Sequence, residues 1–137
     1  MSRSGYSDDY CEDQWAHICW RGAVASAMRG KRGQSFLREM IAAMDAMPSK
    51  RLITNKLMRG GEVCALGAVA VARRKDVRNI NPENSEAVSA EFGIADAMAR
   101  EIVYMNDEAE WRSETPEQRF ARMREWADGW LRKDGEQ

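Results

Sequence analysis

Apolar side chains recur at three- and four-residue spacing along much of the chain, which is the periodicity of amphipathic α-helices. The first such stripe predicts helix one, and the acids Asp8–Asp9 and Glu12–Asp13 suit its N-terminus. A second stripe predicts a helix from about Ser35 to Met47–Pro48, because proline disfavours the α conformation in the residue before it. The two stripes are Trp15, Ile18, Cys19, Gly22 and Ala25 or Ser26, and then Leu37, Met40, Ile41 and Met44.

The segment from Glu62 to Arg74 is small or apolar at nearly every position, which predicts a helix buried on most sides. Gly67 within it permits a close approach of another backbone. The preceding residues 50–58 fit either one short helix or one strand that ends at Gly60–Gly61, and we favour the helix.

Loop and cap signals divide the C-terminal half. Residues 79–84 contain Asn81–Pro82 and are predicted to form a loop. Ser85 can cap a helix that runs on to Met105 with a bend at Gly93.

The last predicted helix has the clearest start. Thr115 suits the N-cap, Pro116 the first helical position and Glu117 the first turn. We expect this helix to pack on the central helix. Its predicted buried stripe is Phe120, Met123, Ala127 and Trp130.

These segments predict an all-α fold. We expect residues 1–137 to form one compact domain of five or six helices around a central apolar helix at about 62–74. The ends, 1–12 and 133–137, are expected to be mobile. The predicted core includes Met40, Ile41, Leu66, Val69, Phe120 and Met123.

Basic and acidic side chains are unevenly distributed along the chain. The 137 residues carry 21 basic and 22 acidic side chains, but thirteen basic and only four acidic ones lie between residues 14 and 82. Residues 83–137 carry seven basic and fourteen acidic side chains. Such asymmetry indicates either an anionic partner or pairing between the two halves, within one chain or between subunits.

Several classes of protein are disfavoured by composition. No apolar run reaches the roughly eighteen residues that a membrane span needs, and the first residues do not have the pattern of an export signal. Three cysteines, Cys11, Cys19 and Cys64, lack a CxxC spacing and suit a reducing compartment. We therefore expect a cytoplasmic protein.

The sequence offers few residues that could form a catalytic or metal-binding site. His17 is the only histidine, it does not share a helix face with Cys19, and a thiol dyad would need Cys64. The acidic residues 106–110 lack the glycine and alternating ligands of a calcium loop, so we expect a solvated loop that ends a helix. We expect no enzyme activity, no metal site and no cofactor.

The candidate site is the predicted turn Arg29–Gln34, with three cations and two glycines directly before helix two. Free N–H groups and the helix dipole attract phosphate there, and arginine offers a forked donor. Trp15 and Trp20 would supply a stacking surface for a base. The alternative is an ordinary solvated turn, with at least one of these tryptophans in the core. The candidate ligand-binding residues are Arg21, Arg29, Lys31, Arg32, Gln34 and Trp20.

Three stretches that together span most of the chain carry a resemblance: Trp20–Val24 with Arg29–Gln34, then Gly61–Ala68, then Glu114–Phe120. In these the sequence resembles small uncharacterised proteins of tailed bacteriophages and prophages. The resemblance implies a product made in a bacterial host cytoplasm, of the accessory class that often includes counter-defence factors. It implies no activity and no site residues.

Together these observations predict a phage-type, non-enzymatic protein that captures a nucleotide signal or nucleic acid at the basic turn. The alternative is an anti-CRISPR-like inhibitor that docks on a host defence or regulatory complex. Such an inhibitor would use an acidic surface as a nucleic-acid mimic. The oligomeric state is open, with a homo-oligomer as one alternative. The acidic surface would consist of Asp107, Glu108, Glu110 and Glu114.

Overall fold

A computed structural model of the chain describes residues 10–108 and 113–131. These ranges contain six helices and one short hairpin, which confirms the predicted all-α fold. The predicted mobility of the ends lies outside the described residues, except for residues 10–12, which are in the first turn of α1. The elements are α1 (Tyr10–Arg29), α2 (Lys31–Asp45), β1 (Met58–Arg59), β2 (Glu62–Val63), α3 (Ala65–Ala72), α4 (Ser85–Phe92), α5 (Asp96–Asp107) and α6 (Pro116–Trp130).

Helices α1 and α2 form a hairpin joined by the single residue Gly30. Its backbone is extended, with φ −70° and ψ 166°. The Gly30 N–H donates to Ser26 O (3.0 Å) and its carbonyl accepts from Gln34 N (2.8 Å), so both peptide groups belong to helices. Helix α2 therefore begins at Lys31, earlier than the predicted Ser35.

Helix α2 lies at the centre of the contacts and packs against α1, α3 and α6. Its N-terminal turn approaches α1 closely, because a Cβ on Gly33 would lie 1.9 Å from Ala27 O. The predicted stripe is confirmed as buried: Leu37, Met40, Ile41 and Met44.

The buried face of α1 is not the predicted one. Val24 and Met28 are buried and Trp20 is half-buried, where the helix packs against α2 and α5. In contrast, Trp15 is 67% and Ile18 60% exposed. The prediction is wrong for this half because residues 14–19 are all exposed, so no described element covers the stripe. The exposed stripe residues are Trp15, Ile18, Cys19 and Gly22.

Residues 50–58 form an extended loop that becomes a strand only at its end, so the favoured short helix is wrong. The backbone of the loop is bound to distant segments. Leu52 N donates to Pro116 O (3.1 Å) and Ile53 N to Val63 O (2.9 Å). These partners satisfy amides that a helix would have satisfied locally.

The hairpin and α3 meet through glycines. Gly60 and Gly61, with φ of 58° and 84°, make the two-residue turn between β1 and β2. The Cys64 sulfur caps α3 by accepting from Gly67 N at 3.4 Å. A Cβ on Gly67 would lie 1.9 Å from Leu57 O, which confirms the predicted close approach.

Helix α3 is buried over residues 65–70 and packs on α2 and α5, as expected of a central helix. It is shorter than the predicted 62–74, because residues 62–63 belong to β2 and the helix ends at Ala72. Its last turn is at the surface, where Val71 is 56% exposed. Helix α6 packs chiefly on α2 rather than on α3, which corrects the predicted partner.

The predicted long helix after residue 84 is two helices. Asn84, rather than Ser85, is the N-cap of α4, and its side chain accepts from Ala87 N at 3.1 Å. Gly93 adopts a left-handed conformation (φ 70°) that ends α4 instead of bending it. Helix α5 then begins separately at Asp96.

The start of α6 matches its sequence signals. The Thr115 hydroxyl accepts from Gln118 N (3.0 Å), and the Gln118 side chain accepts from Thr115 N (2.9 Å), which completes a capping box. Phe120, Met123 and Ala127 are buried and Trp130 is half-buried. All the predicted core residues are buried: Met40, Ile41, Leu66, Val69, Phe120 and Met123.

Candidate anion site at the turn between α1 and α2

Three cations surround Gly30. Arg29 ends α1, while Lys31 and Arg32 open α2 and are exposed. Among the described residues, no carboxylate forms an ion pair with Lys31 or Arg32. Helix α2 has no side-chain cap and no acid in its first turn, so the positive end of its dipole is not compensated locally.

Arg29 is held by an aromatic ring that the sequence analysis did not connect with this turn. Its guanidinium carbon lies 5.3 Å from the centroid of Trp130, at the end of α6. This cation–π contact positions Arg29 beside the start of α2. No local signal indicates it, because the two residues are far apart in the sequence.

Gln34 is a buried structural residue, only 5% exposed. Its amide nitrogen donates to Met28 O and to Trp130 O, both at 2.8 Å. The amide thus ties the last turn of α1 to the end of α6. Although Gln34 lies in the predicted site, its side-chain N–H groups donate to backbone carbonyls within the fold.

The other two predicted residues lie away from the turn. Arg21 is exposed eight residues before Arg29, about 12 Å along the helix. Trp20 precedes Arg29 by nine residues, which places it on the opposite side of α1. There it is half-buried, with the guanidinium of Arg100 5.3 Å from its ring centroid.

Trp15 is farther still, about 21 Å from Arg29 along the helix axis. The structure therefore brings together Arg29, Lys31 and Arg32. It places neither Trp15 nor Trp20 beside them, and the aromatic ring at the turn is that of Trp130.

Within the described residues, ion pairs between the basic segment, residues 14–82, and the acidic half, residues 83–137, are few. Three of the four acids in residues 14–82 are engaged in ion pairs. Among the ion pairs that the structure describes, Arg51–Glu117 is the one that joins a cation of this segment to an acid of residues 83–137. The acids already engaged are Glu39 with Arg73, Asp45 with Arg124 and Asp76 with Arg78.

Two of the four acids of the alternative hypothesis, Asp107 and Glu114, are engaged within the fold. Glu114 binds Arg122 (2.6 and 3.0 Å), and this contact holds the pKa of the carboxyl below its usual range. Burial raises the pKa of Asp107, which also accepts a hydrogen bond from Asn106. Glu108 is exposed, whereas Glu110 lies outside the described residues.

Asn106 has a role that the sequence analysis missed. It was expected in a solvated loop but is 2% exposed near the end of α5. Its side chain accepts from Ala65 N (3.2 Å) and donates to Ile53 O (2.9 Å). It thereby fixes the loop 50–58 to the start of α3.

The described residues do not form the thiol dyad or the metal site that were considered from the sequence. Burial raises the pKa of Cys64 to about 12, so this thiol is protonated at neutral pH. His17 is exposed on the uncovered half of α1. Within the described ranges no group of three or more histidine, cysteine or acidic side chains could hold a metal ion.

Two further features concern the surface. An open groove of about 600 Å³ lies between α4 and α5, and its lining contains Arg100 and the three acids Glu83, Glu86 and Asp96. None of the described helices combines the length and apolar character needed to cross a membrane.

Comparison with known proteins adds no family to these observations. No protein-family model, no curated protein and no solved structure matches this chain.

Proposed function

We propose that the chain is a phage-type, non-enzymatic binding protein that captures a phosphate-bearing ligand, a nucleotide signal or nucleic acid, in a bacterial cytoplasm. The supporting observation is the cluster of Arg29, Lys31 and Arg32 around the uncapped start of α2. We name this cluster the basic turn.

Three sources of positive potential meet at the basic turn. The first N–H groups of α2 point out of the helix end, where a phosphate oxygen can accept from them. Lys31 and Arg32 supply exposed charge that no described carboxylate pairs with. Arg29 is pre-positioned on Trp130, which lowers the conformational entropy lost when it binds.

Calorimetric titration with pyrophosphate, ATP and a single-stranded oligonucleotide tests the proposal. We expect binding by the parent chain and its loss in the double variant Arg29→Ala/Arg32→Ala, with unchanged helicity by circular dichroism. The matched control is Arg59→Ala/Lys75→Ala, which removes two exposed cations elsewhere and should bind like the parent.

Salt dependence separates the ligand classes. An oligonucleotide that contacts several cations releases counterions, so its affinity should fall steeply with salt, whereas that of ATP should fall less. If the double variant binds all three probes as well as the parent, the basic turn is a solvated loop and the proposal is wrong.

The second candidate function is inhibition of a host defence or regulatory complex by docking. The exposed Trp15 and Ile18 favour a protein contact of some kind, because large apolar side chains seldom cluster on a free surface. This function predicts no binding of nucleotides at any salt concentration. It also predicts loss of inhibition on reversing the charge of Glu108 and Glu110.

A further inference from the structure

We propose that the exposed face of α2 binds the phosphate backbone of a nucleic-acid duplex, so that the ligand of the basic turn is a polynucleotide rather than a mononucleotide. We name this surface the cationic face. It consists of Lys31, Arg32, Ser35 and Arg38. The inference rests on the proposed phosphate-binding function and extends the site from the turn along the helix.

The cations of α2 lie on one side of the helix. Lys31, Ser35 and Arg38 follow one another at intervals of four and three residues and are all exposed, so they share a face. Arg32 is exposed beside Lys31. Lys31 and Arg38 are about 10 Å apart along the helix axis. The positive charge therefore continues about two turns beyond the start of α2.

The two acids of α2, Glu39 and Asp45, are paired with arginines of other elements. Arg73 Nε and Nη2 donate to the Glu39 carboxylate at 2.7 and 2.8 Å. Arg124 donates to the two carboxylate oxygens of Asp45, both at 2.8 Å. The positive charge of the cationic face is therefore not offset by acids of the same helix.

The pairing of Glu39, the acid nearest to the cationic face, is held in place by aromatic rings. The guanidinium carbon of Arg73 lies 5.7 Å from the ring centroid of Phe36 and 5.9 Å from that of Phe92. Arg73 Nη1 also donates to Phe92 O at 3.5 Å. Arg73 thus neutralises Glu39 from a fixed position, and the phosphate contacts are assigned to the cationic face itself.

The length of the cationic face selects a polynucleotide as its occupant. The phosphates of a mononucleotide lie together and would reach only one end of a surface about 10 Å long. Successive phosphates of one strand are offset by about 3.4 Å along a duplex axis, so the face is long enough for more than one of them. A backbone along α2 places one phosphate at the start of the helix and a later one at Arg38.

The side chains of the cationic face favour a duplex over a single strand. Proteins that bind single strands stack the bases on aromatic side chains. In α2, which is described throughout, the one aromatic residue is Phe36, and it is buried. At the basic turn the Trp130 ring is half-buried and is already in contact with Arg29. Cations and a serine hydroxyl instead suit phosphate oxygens, whose linear density is higher on a duplex.

Fluorescence anisotropy with a labelled duplex of about 20 base pairs, measured at several salt concentrations, tests the proposal. The parent chain should bind this duplex more tightly than a single strand of the same length, and more tightly than it binds ATP in calorimetry. A plot of log affinity against log salt concentration should have a slope of about −2 or steeper, because two or more phosphates are contacted.

The variant Arg38→Gln separates the cationic face from the turn. It should weaken duplex binding about threefold or more and make the salt slope shallower by about 0.9, because one phosphate contact is lost. It should bind pyrophosphate like the parent, since Arg38 lies about two turns from the start of α2. The matched control is Arg59→Gln, which removes an exposed cation of the hairpin and should change neither measurement.

A gain of charge tests the same surface in the opposite direction. Ala42 is exposed four residues after Arg38, on the same side of α2. Ala42→Lys should therefore tighten duplex binding and steepen the salt slope. Ala90→Lys adds the same charge at an exposed position of α4 and should bind like the parent. Circular dichroism checks that each variant keeps the helicity of the parent.

Three results would overturn this inference: a duplex bound no more tightly than ATP, a single strand bound more tightly than the duplex, or an Arg38→Gln variant that binds the duplex like the parent. Each of them leaves the proposed function intact when the parent binds pyrophosphate. A parent chain that binds neither pyrophosphate, nor ATP, nor either form of nucleic acid would instead refute the proposed function, and this inference with it.

Discussion

The two halves of α1 share a helical spacing of apolar residues but lie in different environments. Both carry apolar residues at helical spacing, yet residues 14–19 are exposed on every side, whereas Val24 and Met28 are buried against neighbouring helices. Periodicity sets which residues share a face, and the surrounding elements determine whether that face is covered. The second half contributes to the core, while residues 14–19 of the first half are exposed to solvent.

The largest expected effect comes from truncating one apolar residue in each half. Met28→Ala should lower the free energy of unfolding by about 2–5 kcal/mol, because it leaves a cavity in the core. Ile18→Ala should change it by less than about 0.5 kcal/mol in the monomer. Urea denaturation at low protein concentration measures both. Equal losses would show that the first half is also packed within the monomer.

Alanine substitutions at Gly33 and Gly22 should have opposite effects on stability. Gly33→Ala should cost about 1–3 kcal/mol, because its Cβ would lie 1.9 Å from Ala27 O and force α1 and α2 apart. Gly22→Ala should instead stabilise the monomer by about 0.5–1 kcal/mol, since its Cβ meets nothing and alanine favours a helix. Thermal unfolding of the two variants should therefore shift the midpoint in opposite directions.

The smallest effect concerns a carboxyl group on α5, the helix that packs against the covered half of α1. Burial raises the pKa of Glu101 above its ordinary value, and Arg21 only partly opposes this. The folded state therefore holds the proton more tightly than the unfolded chain, so Glu101 costs stability as pH rises through its folded pKa.

Glu101→Gln removes that cost. The stability gained relative to the parent should be greatest at neutral pH and should vanish below about pH 4.5, the ordinary pKa of a glutamate side chain, where both states of the parent are protonated. Denaturation curves at several pH values measure it. A gain that does not change with pH would mean that packing, rather than ionisation, is responsible.

The parts of the fold that were predictable depend on neighbours in sequence. Thr115 and Pro116 mark the start of α6 through interactions within one turn, as predicted. The stripe of α2 is buried as its periodicity indicates, and Gly30 lies at the predicted break. Such signals need no knowledge of the rest of the chain.

The remainder depends on distant contacts. The loop at residues 50–58 contains a helix-like apolar pattern, yet Leu52 and Ile53 bond to segments that only the complete fold brings near. In the candidate site, the three cations of the basic turn were predictable from their position. The placement of Trp130 on Arg29, and the use of the Gln34 amide by Trp130 O, were not.

The anchoring of the loop at residues 50–58 has a consequence for hydrogen exchange. Leu52 N and Ile53 N bond to backbone carbonyls, and the Leu52 and Ile53 carbonyls accept from Arg119 and Asn106. Exchange at these two amides then requires separation of the loop from α6 and from β2. We expect their protection to approach that of the central helices, although the segment lacks regular secondary structure, because both amides are bonded to other segments of the fold.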